Sequence, residues 1–329
     1  MDFCGVKEYL KTDLDRVNKV IRESLASDIV LLNKTNESLL RHSGKQLRPV
    51  LSLLVARACS GGFITEDTIR YAAAAELLHN ATLLHDDVAD GSTQRRGNPT
   101  VMSLLGGRAS VLLGDFWLVK AMNNILQCGN SSSQVIRLFS KTLSDLAEGE
   151  MLQLQKAASG DTKEPDYYRI IFSKTASLFE AAAVSAAISV GASPEKRKRK
   201  AVKNYARSLG IAFQIQDDIL DYDGGQAIGK PVGIDIMEGK ITLPLLGALA
   251  SVDKETADPV RHKLSDTGSI AEHRDEIIDF VKTNGGIDYA RARLQEYVDN
   301  AKIFLRALGS GKDIEMLCEI ADFVGERKS

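Results

Sequence analysis

The sequence predicts an all-α fold in one domain, 1–329, and three observations carry that prediction. Apolar residues recur at spacings of three and four along nearly the whole chain. Strand-like alternation with paired turn signals is missing. No linker divides the 329 residues. Seven prolines and one tryptophan, beside alanine- and leucine-rich stretches, lean the same way.

Taken in order, MDFCGVKEYLKTDLDRV is charged early and lacks the continuous apolar core of a secretory signal. VNKVIRESLASDIVLLNKTNESLLRHSG has helical period and stops at Gly44, a residue type that ends helices. Segments 47–58, 66–85, 109–128, 134–157, 166–191, 194–222 and 242–251 follow, long and apolar-periodic. Several are apolar nearly all round, which marks central rather than surface helices. Breaks fall at 59–65, 91–100, 158–165 and 224–240. Ser193-Pro194-Glu195 starts a helix, with serine as cap, proline at the first position and an acid in the first turn. The KRKRK run at 196–200 reads as a solvated helix face ahead of an anion-binding or localisation patch. Helices of about 20 residues are about 30 Å long.

A hydrophobic fraction of 44% with 26% charged residues is ordinary for a soluble globular protein. Lys and Arg number 42 against 44 Asp and Glu, a formal net charge of −2, without the basic excess of a nucleic-acid binder. Cys4, Cys59, Cys128 and Cys318 lie far apart, in neither zinc nor disulfide spacing, as expected of reduced thiols in the cytoplasm. No uncharged apolar run approaches the ~18 residues of a membrane span, so no stable membrane insertion is expected.

The stretch LLHDDVAD sets Asp86, Asp87 and Asp90 at the end of an apolar segment. Carboxylates there lose hydration at a cost of several kcal/mol per ion unless cations offset it. On a helix Asp86 and Asp90 share one face, with Asp87 roughly 100° around, a geometry that grips hard cations from one side. IAFQIQDDILDYDGG repeats the pattern with Asp217, Asp218 and Asp221 at the same internal spacing. Two such triplets, placed opposite one another, would line an acidic cleft.

The choice of cation narrows by chemistry. A calcium loop of the EF-hand type fails because Ile219 takes a ligand position. A di-iron bundle needs two Glu-x-x-His pairs, and Glu76-Leu77-Leu78-His79 supplies one. Magnesium fits, since it takes few protein carboxylates and fills its shell with water and phosphate oxygens. Basic residues stand near by in glycine-flanked loops: Gln94-Arg95-Arg96-Gly97, Gly229-Lys230-Pro231, Glu238-Gly239-Lys240, and Lys45 and Arg48 in SGKQLRP. Each alone could be a salt bridge; together they suit a polyanion, of which a diphosphate is the natural candidate.

On these residues the chain resembles the trans-prenyltransferases of the polyprenyl diphosphate synthase family over nearly its whole length. The matching segments are SGKQLRP, HNATLLHDDVAD with QRRG, GEMLQL, SKTASLF, FQIQDDILD, GKPVGID and EGKITLPLL. The resemblance implies the isoprenoid synthase fold, a bundle of long helices around a deep central cavity, as a homodimer. It implies two or three Mg2+ ions held by Asp86, Asp87, Asp90, Asp217, Asp218 and Asp221. Arg95, Lys174, Lys230 and Lys240 would hold an allylic diphosphate; Lys45, Arg48, His79 and Arg96 would hold isopentenyl diphosphate. Thr175 and Gln214 would face the reacting carbons. Ser43 and Gln46 depart from the family pattern, where glycine and a basic residue are common, leaving Lys45 and Arg48 in that pocket.

The implied reaction ionises the allylic C–O bond, and metal ions with Arg/Lys clamps neutralise the leaving diphosphate. The double bond of isopentenyl diphosphate attacks the cation, and the departed diphosphate takes the proton. No dedicated side-chain base is needed, in keeping with the absence of a Ser/His/Asp or Cys/His arrangement. Short-chain members close the cavity with a bulky aromatic one turn above the first motif. Here those positions are Ala81 and Thr82, followed by Leu78, Leu77, Ala75 and Ala74. Each turn is about 5.4 Å, roughly one isoprene unit, so the open turns imply about six to ten units. Phe116, Trp117, Leu118 or Met122 would supply the floor, and release of so apolar a product implies peripheral membrane contact. The alternatives are a short-chain synthase, a terpene cyclase, whose second metal site has another composition, and a non-catalytic subunit, which should have lost an aspartate motif.

Overall fold

The computed structural model describes residues 3–41, 44–95, 97–129, 132–191, 196–223, 232–265 and 270–327. It is all-α apart from one two-stranded hairpin. The chain divides into two compact units, Met1–Ser140 with Ala181–Val202 and Leu308–Leu317, and Lys141–Glu180 with Lys203–Ala307 and Cys318–Ser329.

The first unit opens with α1 (Phe3–Tyr9), α2 (Lys11–Ser24), α3 (Val30–Arg41) and α4 (Leu47–Ser60). The single helical pattern expected through Gly44 is broken between α2 and α3. Ser27 N donates to Asn33 Oδ1 at 3.0 Å, a side-chain acceptor that competes with the helical backbone. Next comes α5 (Glu66–Ala89), which begins at a capping box: Thr68 N donates to Thr65 Oγ1 at 3.0 Å and Thr65 N to Thr68 Oγ1 at 3.2 Å. Its face is buried all round, Ala72 to Ala75, Leu77 and Leu78 each at 0% exposure. It runs four residues past the expected stop and ends where Gly91 turns left-handed at φ 62°. The hairpin β1 (Gln94–Arg95) and β2 (Asn98–Pro99) follows, then α6 (Val101–Leu105) and α7 (Gly107–Leu126), which packs along α5.

The long α8 (Ser132–Ser159) comes next, then the short α9 (Glu164–Ile171), which runs through a π-helical turn, Phe172–Ala176, into α10 (Ser177–Ser189). The stretch Glu164–Ser189 is long and apolar enough to cross a membrane, but it is mostly buried within the protein, as a core helix is. Then come α11 (Lys196–Asp223), α12 (Ile234–Met237), α13 (Leu243–Ala250), α14 (Lys254–Ser265), α15 (Ile270–Thr283), α16 (Gly286–Leu305) and, after a 3-10 turn, α17 (Lys312–Glu326). The expected start at Ser193-Pro194-Glu195 lies outside the described residues. Arg197 and Lys200 of the basic run are exposed on α11, a solvated face.

In the second unit, two glycines let backbones close on the π turn. A Cβ on Gly149 of α8 would lie 2.5 Å from Ser173 Cβ, and one on Gly210 of α11 would lie 2.5 Å from Ala176 Cα. Gly210→Ala should therefore lower stability by about 1–3 kcal/mol, because the clash is with backbone and outweighs a helix-propensity gain of about 1 kcal/mol. A denaturation midpoint equal to the native one would show that α11 moves freely off the turn.

Candidate active site

In the first unit the expected residues sit at the end of α5 and the start of α4. Asp86 is half-buried, Asp87 is 4% exposed, and Asp90 is exposed. A carboxylate as enclosed as Asp87 needs a cation, and Arg95 Nε reaches its Oδ1 at 2.7 Å. The hairpin makes that reach by folding back on α5: Ser92 N donates to Asp87 O at 2.9 Å, and Thr100 Oγ1 to Ser92 O at 2.7 Å. Arg96 lies outside the described residues. Lys45 is exposed, Arg48 is buried in the first turn of α4, and His79 is half-buried on α5. Between these basic residues Gln46 takes φ 56°, the one non-glycine positive φ among the described residues. Its Nε2 donates to Asn18 Oδ1 at 2.7 Å, so this residue turns to α2 where the family pattern has a basic side chain. Leu77, Leu78 and Ala81 are buried, and half-buried Thr82 donates to His79 O at 2.8 Å. Of the four floor candidates, Trp117 is buried and donates to Asn36 Oδ1 at 2.8 Å; Phe116, Leu118 and Met122 are half-buried.

The second unit carries the remaining expected residues. Thr175 Oγ1 donates to Gln214 Oε1 at 2.8 Å, and Gln214 Nε2 to Asp218 Oδ1 at 2.9 Å. Tyr167 OH donates to the other oxygen of Asp218 at 2.6 Å. Burial, and then the charge of Asp235, push the Asp218 carboxyl well above the usual range, while the Tyr167 and Gln214 bonds oppose the shift. Asp221 accepts from Ile234 N and Asp235 N, each at 3.1 Å, and so anchors the segment that carries Lys240. Burial raises its pKa too, against those two backbone bonds. Asp217 Oδ1 lies 2.8 Å from Arg327 Nη2.

The π turn presents Lys174 to Glu150 Oε2 at 2.5 Å. Lys240 pairs with Glu238. A cavity of about 130 Å³ is lined by Lys156, Tyr167, Lys174, Gln214, Asp218 and Lys240, among others. Lysines and carboxylates thus meet in one small space. Lys230 lies outside the described residues. Glu150 and Asp235 stand inside quoted motifs without having been singled out; Tyr167 and Arg327 had no signal at all.

A family profile described as Polyprenyl synthetase matches residues 29–281. The chain belongs to that family. This polyprenyl synthetase is 38% identical over 328 residues to an octaprenyl diphosphate synthase of Escherichia coli K12, covering 99% of each chain. It is 37% identical to an all-trans-nonaprenyl-diphosphate synthase of Rhodobacter capsulatus, over 88% of this chain and 87% of that one. A crystal structure of the polyprenyl synthase of Caulobacter crescentus CB15, complexed with calcium and isoprenyl diphosphate, superposes with a TM-score of 0.91 at 33% identity, covering 100% and 98% of the two chains. The family resemblance, the all-helical isoprenoid synthase fold and the assignment as a prenyltransferase of medium- or long-chain type all hold.

Proposed function

We propose that this synthetase condenses isopentenyl diphosphate head-to-tail with an allylic diphosphate such as farnesyl diphosphate, the two units acting as one domain, to give an all-trans polyprenyl diphosphate of about six to ten isoprene units. The observation that carries the reading is the pair of identical aspartate triplets closing apolar helices, each with fixed cations beside it: Arg95 on Asp87, Lys174 and Lys240 around Asp218.

Among the described residues no three His, Cys, Asp or Glu side chains already converge as a metal cage. The donors nevertheless suit a hard dication that keeps water and phosphate oxygens in its shell, because half-buried Asp86 and exposed Asp90 share one helical strip and Asp217 is half-exposed. Asp86, Asp87, Asp90, Asp217, Asp218 and Asp221 would hold Mg2+, two or three ions in all. When bound, Mg2+ supplies charge neutralisation of the leaving diphosphate.

The chain's own residues do the rest. Arg95, Lys174 and Lys240, with Lys230, grip the allylic diphosphate; Lys45, Arg48 and His79, with Arg96, grip isopentenyl diphosphate. Thr175 and Gln214, tied through Asp218 to Tyr167, stand where the reacting carbons pass. The allylic C–O bond breaks with its electron pair leaving on diphosphate. The isopentenyl double bond forms the new C–C bond, and a proton is lost to the departed diphosphate. The apolar helices keep out water that would quench the cation.

Assembly as a homodimer accords with the exposed apolar face of α7, where Leu112, Val119 and Leu126 are 60%, 56% and 61% exposed. A cytoplasmic enzyme that meets a membrane only peripherally, to release product, completes the reading. Incubating the purified chain with isopentenyl and farnesyl diphosphates should give Mg2+-dependent elongated diphosphates. A product stopping at three or four units means a short-chain synthase. A cyclic hydrocarbon, or no turnover by the chain alone, overturns the reading.

A further inference from the structure

The second aspartate triplet is already spoken for by the protein. Among the described residues five polar contacts reach its three carboxylates, and four are hydrogen bonds from neutral donors: Gln214 and Tyr167 on Asp218, and the amides of Ile234 and Asp235 on Asp221. Neutral donors orient a carboxylate but leave its charge in place. The fifth contact differs, because it is an ion pair that sets the full charge of Arg327 on Asp217, the triplet's half-exposed member, at 2.8 Å.

Arg327 is held there independently of Asp217. Its side chain is only 5% exposed. Nη2 also donates to Phe213 O at 2.6 Å, and the guanidinium lies 3.8 Å from the centroid of the Phe213 ring. Its main chain is fixed as well: Gln216 Nε2 donates to Arg327 O at 2.6 Å, and Arg327 N to Phe323 O at 3.0 Å. The turn of α11 that carries Asp217 therefore carries a permanent cation with it, supplied from just beyond the end of α17.

We infer that Arg327 is a positioning residue that makes cation binding at Asp217 conditional on the diphosphate. A dication arriving alone meets a carboxylate whose Oδ1 is occupied and whose charge is offset. A dication arriving with a diphosphate brings its own negative charge, and the guanidinium then no longer opposes it. On the reading of the site given above, this keeps the second triplet from trapping a metal ion between condensations, when one diphosphate has left and the next has not bound.

The test is Mn2+ binding followed by electron paramagnetic resonance, without diphosphate. Removing one charge a few ångströms away in a half-exposed site is expected to tighten Mn2+ binding about tenfold in R327Q. R327M, which keeps the aliphatic stem on Phe213, should do the same should R327Q fold poorly, and R327K should stay near wild type. The gain should vanish when Asp217→Asn is added. Unchanged or weaker Mn2+ binding in both neutral variants overturns the inference, whereas a wild-type chain that elongates no diphosphate overturns the reaction reading.

Discussion

Asp86→Ala is expected to cut turnover by about 10²–10³-fold while the fold stays intact, the scale seen when one pre-organised stabiliser of developing charge is removed. The three aspartates of the first triplet differ in what their loss would do. Asp87 is enclosed and paired with Arg95 at 2.7 Å, so truncating it would strand a guanidinium and pull on the hairpin as well as on the site. Asp86 is half-buried in the last full turn of α5, and its truncation removes charge without opening a core cavity. Its effect on stability should stay within about 0.5 kcal/mol, as for substitutions away from packed features. Single-turnover rates with saturating Mg2+, beside a thermal melt, separate the two effects. A near-normal rate would remove Asp86 from the metal set.

The outline of this site was legible wherever chemistry repeats at short range. The two aspartate triplets, and the helices they close, follow from spacings of one to eight residues. Period alone was enough to find α5, α7, α8 and α13 nearly to their ends. What escaped is set by contacts remote in sequence. The π turn at Phe172–Ala176 has ordinary helical composition, and only the close approach of Gly149 and Gly210 from other helices shows why the register slips there. Tyr167 sits in a segment without a motif, yet it supplies one of the two donors that make the burial of Asp218 tolerable. Arg327 reads in the sequence as one more charge near the chain end, and only packing on Phe213 turns it towards Asp217. The break between α2 and α3 shows the reverse error: an unbroken apolar period hid a local bond, Ser27 N donating to the Asn33 side chain, in the turn that separates the two helices.

Ala81→Phe carries the second large expected effect, a collapse in product length. Ala81 is 1% exposed, and the turns above it, Leu78, Leu77, Ala75 and Ala74, are fully enclosed. A benzyl ring placed there has two destinations. If the wall at Ala81 borders the space into which the product grows, the ring enters that space about five residues, or about 7.5 Å, from the first aspartate, little more than one isoprene unit beyond the reacting end. The product should then stop at about three or four units, with stability nearly unchanged. Leu77→Phe, a turn further on, should stop it about one unit later. If instead Ala81 packs against protein on every side, the ring overfills the core, costing about 1–3 kcal/mol and leaving the product distribution as it was. Chromatography of the products beside a melting curve distinguishes these outcomes. Full-length product together with a lowered melting temperature would place the growing chain along some other wall than α5. The graded series tests the direction of growth as well as its limit, since a shift that follows the helical rise from Ala81 to Leu77 can come only from a chain lying along that helix.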